Sequence, residues 1–287
     1  MELFCPAFKT ALSRFSRKGG LVFSSHVALS MMLAIFPFCI VVLALAGMLS
    51  EAGLQASGSD LNDLLDVVFG SWPDAIADPI ENEVRAVLET SGGGTLTLGA
   101  LLTILFASNG FDAVRQAISA AYHDRDDPRP AWKLRLLAVG FAVFGALLVT
   151  VAGLFSVVLP IYLRYVADIL PILHLEALSG EFLGTAVTAL VMIFALFACH
   201  KWLPGVKRPV RALVPGVVLT LILWGICGTG FEFYISNFST YSVTYAGLAG
   251  VMSALVFMYL MAAMFLLGAE FNATLGDLAR QKPSGSE

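Results

Sequence analysis

Apolar positions along the chain gather into six runs, each about twenty residues long, separated by polar breaks. The runs cover roughly His26–Leu49, Thr95–Ala117, Leu136–Leu159, Phe182–His200, Ala212–Phe233 and Tyr245–Ala269. As helices, each is long enough to cross a hydrocarbon core of roughly 30 Å. Ahead of the first run, Phe4, Phe8, Leu12 and Phe15 recur at helical spacing, with Lys9, Arg14, Arg17 and Lys18 between them. That pattern predicts an amphipathic helix lying on the membrane surface, within an N-terminal segment 1–25. Pro37 falls in the middle of the first run and removes one backbone hydrogen bond, which predicts a kink.

Residues 50–94 break the pattern. They carry nine acidic side chains against Arg85 alone, while Leu61, Leu64, Leu65 and Val68, then Ile76, Ile80, Val84 and Val87, keep helical spacing. Two short amphipathic helices on either side of Trp72-Pro73 fit this, forming a small external cap. Gly92-Gly93-Gly94 then reads as a turn, since no GK[ST] follows it. Residues 277–287, ending Pro-Ser-Gly-Ser-Glu, read as a disordered tail. The expected fold is an all-α polytopic membrane protein. It has six transmembrane helices over 26–276, an interfacial N-terminal helix and a small helical periplasmic cap.

Composition supports this reading. The chain has 287 residues, 58% hydrophobic and 13% charged, about half the charged share of a soluble protein. The net charge of −4 is small and unevenly placed, which points away from nucleic acid as a partner. Of the seventeen basic residues, all but Arg85, Arg115 and Arg164 lie before run one, between runs two and three, between four and five, or after six. The positive-inside rule therefore puts both termini in the cytosol of a multi-pass inner-membrane protein. Trp132 and Trp202 fall at the cytosolic interface, as aromatic anchors do. Cys5, Cys39, Cys199 and Cys227 show no paired spacing and imply no disulfide, metal or cofactor.

The second run carries the chemistry. Ser108, Asn109, Asp112, Arg115, Gln116 and Ser119 fall within about 120° of one helix face, and Asp112 and Arg115 are spaced to pair. Charge this far from a span's ends is expensive in lipid and should face other helices or water. Glu232 stands near the external end of run five. Glu270 stands at the cytosolic end of run six, close to Asn272, with Arg115 as its candidate partner. Gly225, Gly228, Gly247, Gly250 and Gly268 are expected where helices cross closely. The four histidines form no metal motif, and no GxSxG is present, so no catalytic or metal-binding residue is assigned.

Four stretches together resemble the YihY/BrkB family of bacterial inner-membrane proteins: LAIFPF, GGGTLTLGALLTILFASNGFDAVRQAISAAY, WLPGVKRPVRALVPG and YAGLAGVMSALVFMYLMAAMFLLGAEFNATL. The resemblance covers about residues 20–276 and implies six spans with cytosolic ends. Some relatives were formerly mislabelled ribonuclease BN, and some are linked to envelope lipid homeostasis; the family supplies no agreed catalytic set. The reading that follows is a non-enzymatic transporter or lipid-handling protein with membrane lipids as partners. Ser108, Asn109, Asp112, Arg115, Glu232, Glu270 and Asn272 would form its polar path. The alternative is a scaffold that docks a periplasmic protein through residues 50–94.

Overall fold

The computed structural model describes residues 4–51, 77–78, 82, 98–122, 127–169, 181–206, 208–238 and 246–281. The expected cap and the Gly92–Gly94 turn lie outside the described residues, apart from isolated positions. Among those described, the architecture is helical throughout. In chain order the helices are α1 (Phe4–Arg17), α2 (Gly20–Glu51), α3 (Leu98–Tyr122), α4 (Ala131–Ile169), α5 (Glu181–Trp202), α6 (Val214–Phe238) and α7 (Ala246–Gln281), with a short 3-10 turn at Val210–Ala212 before α6. Four of them, α4 to α7, are long and apolar enough to cross a membrane. Large apolar side chains face outward, among them Leu33 at 70%, Leu190 at 71% and Phe233 at 71% exposed, as on a surface meant for lipid rather than water.

α2 sits centrally, against α1, α3, α4 and α7, while α6 packs on α7 and α5 on α4. Ala113, Ala117 and Ala121 recur every fourth residue on the buried side of α3, beside Ala262, Phe265 and Ala269 of α7. With lipid outside, apolar burial drives little association, so small side chains and interhelical hydrogen bonds carry the packing. Trp224 Nε1 donates to the Met261 carbonyl across α6 and α7 at 2.9 Å, and Thr150 Oγ1 donates to the Val42 carbonyl across α4 and α2 at 3.2 Å.

Several expected boundaries move. α2 begins at Gly20 and continues through Pro37. α4 runs past Pro160 to Ile169, so the segment expected to start outside at Pro160 opens as helix. α7 runs to Gln281, so residues 277–281, expected in the disordered tail, are helical. The reason is α1. Its Ala7 and Ala11 are fully buried against Phe271, with Phe8, Leu275 and Leu278 packed around them. The amphipathic helix thus spends much of its apolar face on the extension of α7. α1 and α2 meet at 70°, a turn made at Gly19, whose φ of 72° suits glycine.

The glycines divide. At Gly268 an added Cβ would lie 2.1 Å from Thr220 Oγ1 and 2.7 Å from the Gly216 carbonyl oxygen, so α6 and α7 cross there at backbone distance. At Gly225 and Gly228 it would meet nothing within 4 Å. Among the described residues, then, those two are not the contact positions expected: they lie on a face of α6 with open space beside them. Gly250 is half-buried, and the surroundings of Gly247 lie outside the described residues.

Candidate functional site

Polar side chains collect where the C-terminal halves of α3 and α7 meet α1 and the start of α6. The first group is built across helices. Glu270, 3% exposed, forms ion pairs with Arg14, whose Nε lies 3.2 Å from Oε2, and with Lys18, whose Nζ lies 3.5 Å from Oε1. Arg14 also donates through Nη1 to Asp277 Oδ2 at 2.6 Å. Lys18 donates to the carbonyls of Ala120 and Ala121, 3.1 Å each. Those carbonyls end α3, where an ammonium satisfies acceptors left open by the helix and meets the negative end of its dipole. Arg14 of α1 and Lys18 of the turn after it, four residues apart, therefore join the N-terminal segment to both α7 and α3. Arg115, the expected partner of Glu270, is engaged elsewhere: the carboxylate is matched by side chains from the N-terminal segment.

The second group is local. Arg115 Nε donates to Asp112 Oδ1 at 2.9 Å, and Gln116 Nε2 donates to Asp112 Oδ2 at 2.8 Å. The expected pair therefore forms. Arg115 is buried, and its Nη1 also reaches Asp127 Oδ2 at 3.7 Å. Asp127 in turn is held by Arg129, whose Nε lies 2.9 Å from Oδ1 and whose Nη2 lies 2.6 Å from Oδ2. This guanidinium holds the Asp127 carboxyl below the usual carboxylate range. Arg129 also donates to the carbonyls of Trp202 and Leu203, tying the loop to the end of α5.

A third group surrounds Asn272, which is fully buried. Its Oδ1 accepts from the Gly216 backbone N–H at 2.7 Å, and its Nδ2 donates to the Leu213 carbonyl at 2.9 Å. Its own carbonyl accepts from Arg208 Nη1 at 2.8 Å. The Arg208 guanidinium lies over the Tyr122 ring, 5.1 Å from its centre, and the Tyr122 hydroxyl is 3.2 Å from His200 Nδ1.

The remaining expected residues separate. Ser108 is buried and returns its hydroxyl to the Leu105 carbonyl of its own helix. Asn109 is exposed and accepts from Arg135 Nη1 of α4 at 2.8 Å. Glu232 is exposed and stands about 24 Å along α6 from Gly216, apart from all three groups. Sequence reading missed Arg14, Lys18, Asp127, Arg208 and Tyr122 as site residues. In the sequence the first two belong to the polar face of the amphipathic helix and, with Arg208, to the charges that set orientation. Arg14 and Lys18 had carried a usable signal, a four-residue spacing on an amphipathic helix.

Apolar helices of this length, with an ionic network gathered at one end, define a polytopic helical membrane protein. The description "Virulence factor BrkB" belongs to the family model that matches residues 11–287. The chain is a member of that family. It is 28% identical over 282 residues to the putative ribonuclease-like protein YfkH of Bacillus subtilis (strain 168), covering 93% of this chain and 94% of that one. It is 25% identical over 279 residues to the UPF0761 membrane protein VP0125 of Vibrio parahaemolyticus serotype O3:K6 (strain RIMD 2210633), covering 94% and 82%. A further match, 31% identical over 106 residues, is to a UPF0761 membrane protein of Tolumonas auensis (strain DSM 9187 / NBRC 110442 / TA 4), of which the matched part is 35%. No solved structure matches the chain.

Proposed function

We propose that this is a six-span protein of the bacterial inner membrane, with both termini cytosolic, that transports or otherwise handles a lipid or other amphiphile and is not an enzyme. The observation that carries the reading is Glu270. It is a carboxylate at the basic end of the bundle, 3% exposed, whose cationic partners include Arg14 of the amphipathic α1 and Lys18 of the turn that follows it. A buried charge is tolerated only while its partners stay. Withdrawal of α1 would uncover Glu270 and create a polar entrance beside Asp112 and Arg115. Such an entrance suits the charged headgroup of an amphiphile whose tail stays in lipid. Glu232 would mark the external end.

The test is lipid flux in vesicles containing the purified protein, with Glu270→Gln and Asp112→Asn compared with the unmodified chain. Flux per folded protein is expected to fall for Glu270→Gln, beyond what its lower thermal stability accounts for. Full flux in both variants would remove these residues from the path. The ribonuclease-like name of YfkH is checked on the same preparation: cleavage of RNA that depends on Asp112 or Glu270 would overturn the non-enzyme reading.

A further inference from the structure

Two hollows adjoin at the end of α5. One, about 540 Å³, is lined by Lys201, Trp202, Gly205, Val206, Arg208 and Pro209. The other, about 590 Å³, is a groove between α4 and α5 that opens at Lys133 and Trp202 and runs past Leu136, Gly140 and Ala198 to Phe144. Trp202 lines both and is half exposed. The groove is apolar beyond its mouth, and at its far end the Phe144 and Phe194 rings meet at 6.2 Å. Lys133 to Phe144 spans roughly 17 Å of helix, close to the roughly 15 Å of one leaflet's hydrocarbon.

The mouth carries positive charge. Lys133, Lys201 and Arg208 line the hollows, and among the described residues no acidic side chain does. Asp127 is occupied by Arg129, whose guanidinium lies against Gly205 at the edge of the first hollow. Arg208 is 9% exposed, and its buried Nε has no hydrogen-bond partner among the described residues. Lys201 Nζ donates to the Arg208 carbonyl, which holds one cation beside the other.

We infer that this pair of hollows is a binding site for one anionic phospholipid of the leaflet at the basic end of the bundle. Its phosphate would sit among Lys133, Lys201 and Arg208, beside the Trp202 indole, and one acyl chain would lie in the α4–α5 groove. Charge selects the headgroup, and the length of the groove suits a single chain. The site lies outside the Glu270 and Asp112 groups, and it stands whether or not the chain moves lipid across the membrane.

The test uses the full chain in detergent with equal amounts of phosphatidylglycerol and phosphatidylcholine, with retained lipids counted by native mass spectrometry. Phosphatidylglycerol should be retained roughly thirtyfold or more over phosphatidylcholine, as two or three cations near a headgroup predict. Lys133→Gln with Lys201→Gln should bring the two lipids close to equal retention. Gly140→Leu should lower retention of both, because a Cβ at Gly140 meets nothing within 4 Å and the larger side chain fills only the groove. Equal retention of the two lipids by the unmodified chain would overturn the site. So would unchanged phosphatidylglycerol retention in both variants. Displacement of the lipid by millimolar inorganic phosphate would overturn it too, by assigning the basic hollow to a soluble anion. Flux measured on the same variants stays a separate readout and bears only on the transport reading.

Discussion

The two ionic groups at the basic end are built from the same residue types in opposite ways. Asp112, Arg115, Asp127 and Arg129 pair with neighbours two or three positions away, or across one short loop. Arg14, Lys18, Glu270 and Asp277 pair only because the first helix lies along the last; Arg14 and Asp277 are 263 residues apart. A local pair forms wherever its helix forms, and says little about the tertiary fold. The long-range group exists only in the assembled bundle, and it should therefore report assembly.

That contrast can be broken most forcefully at Arg14. Arg14→Met leaves Glu270 buried with half its compensation, and should cost about 3–5 kcal/mol, read as lower thermal stability in detergent. Arg14→Met combined with Glu270→Met should recover more than half of that loss. A strictly additive double variant would show that the two side chains are not coupled.

The next effect is steric. Gly268→Ala sets a methyl against Thr220 and the Gly216 carbonyl, two residues before Glu270. It should cost about 1–3 kcal/mol, while Gly225→Ala, facing open space, should stay within about 0.5 kcal/mol of the parent. Equal costs at the two glycines would mean that the crossing does not hold α7 in place.

Asp112→Asn comes lower. Arg115 keeps Asp127 nearby, and Asn still accepts a hydrogen bond, so a loss of about 1 kcal/mol is expected. A loss as large as that of Arg14→Met would erase the distinction between local and long-range groups.

The smallest effect belongs to Asp127. Its carboxyl is held below the ordinary range in the fold, first by the Arg129 hydrogen bond. Its contribution is therefore complete above the unfolded value near pH 4, and is lost as pH falls through the lower folded value. Asp127→Asn should lower the melting temperature at pH 7 by an amount equivalent to about 1 kcal/mol or less. The gap to the parent should close in acid. A gap that widened in acid would contradict the sign.

The same contrast explains what the sequence made legible. The Asp112–Arg115 pair could be read because i and i+3 share a helix face whatever the tertiary structure. The apolar runs could be read because length and hydropathy are local properties. The partners of Glu270 could not, since nothing in a single sequence says which helix α1 lies against. The end of α7 moves for the same reason: Leu275 and Leu278 become partly buried only once the first helix packs against them. Glycine spacing misled at Gly225 and Gly228 because small residues permit a close crossing without choosing which side of the helix is crossed.

The contact between the first and last helices also sets an order of events during biogenesis. A ribosome adds about 5–20 residues per second. Arg14 and Lys18 therefore leave it some tens of seconds before Glu270 exists. Throughout that interval, α1 must rest on the membrane surface or on another protein. The closing step of assembly therefore awaits the last stretch of chain to be made, and a product truncated before Glu270 should be left with its N-terminal helix unlatched.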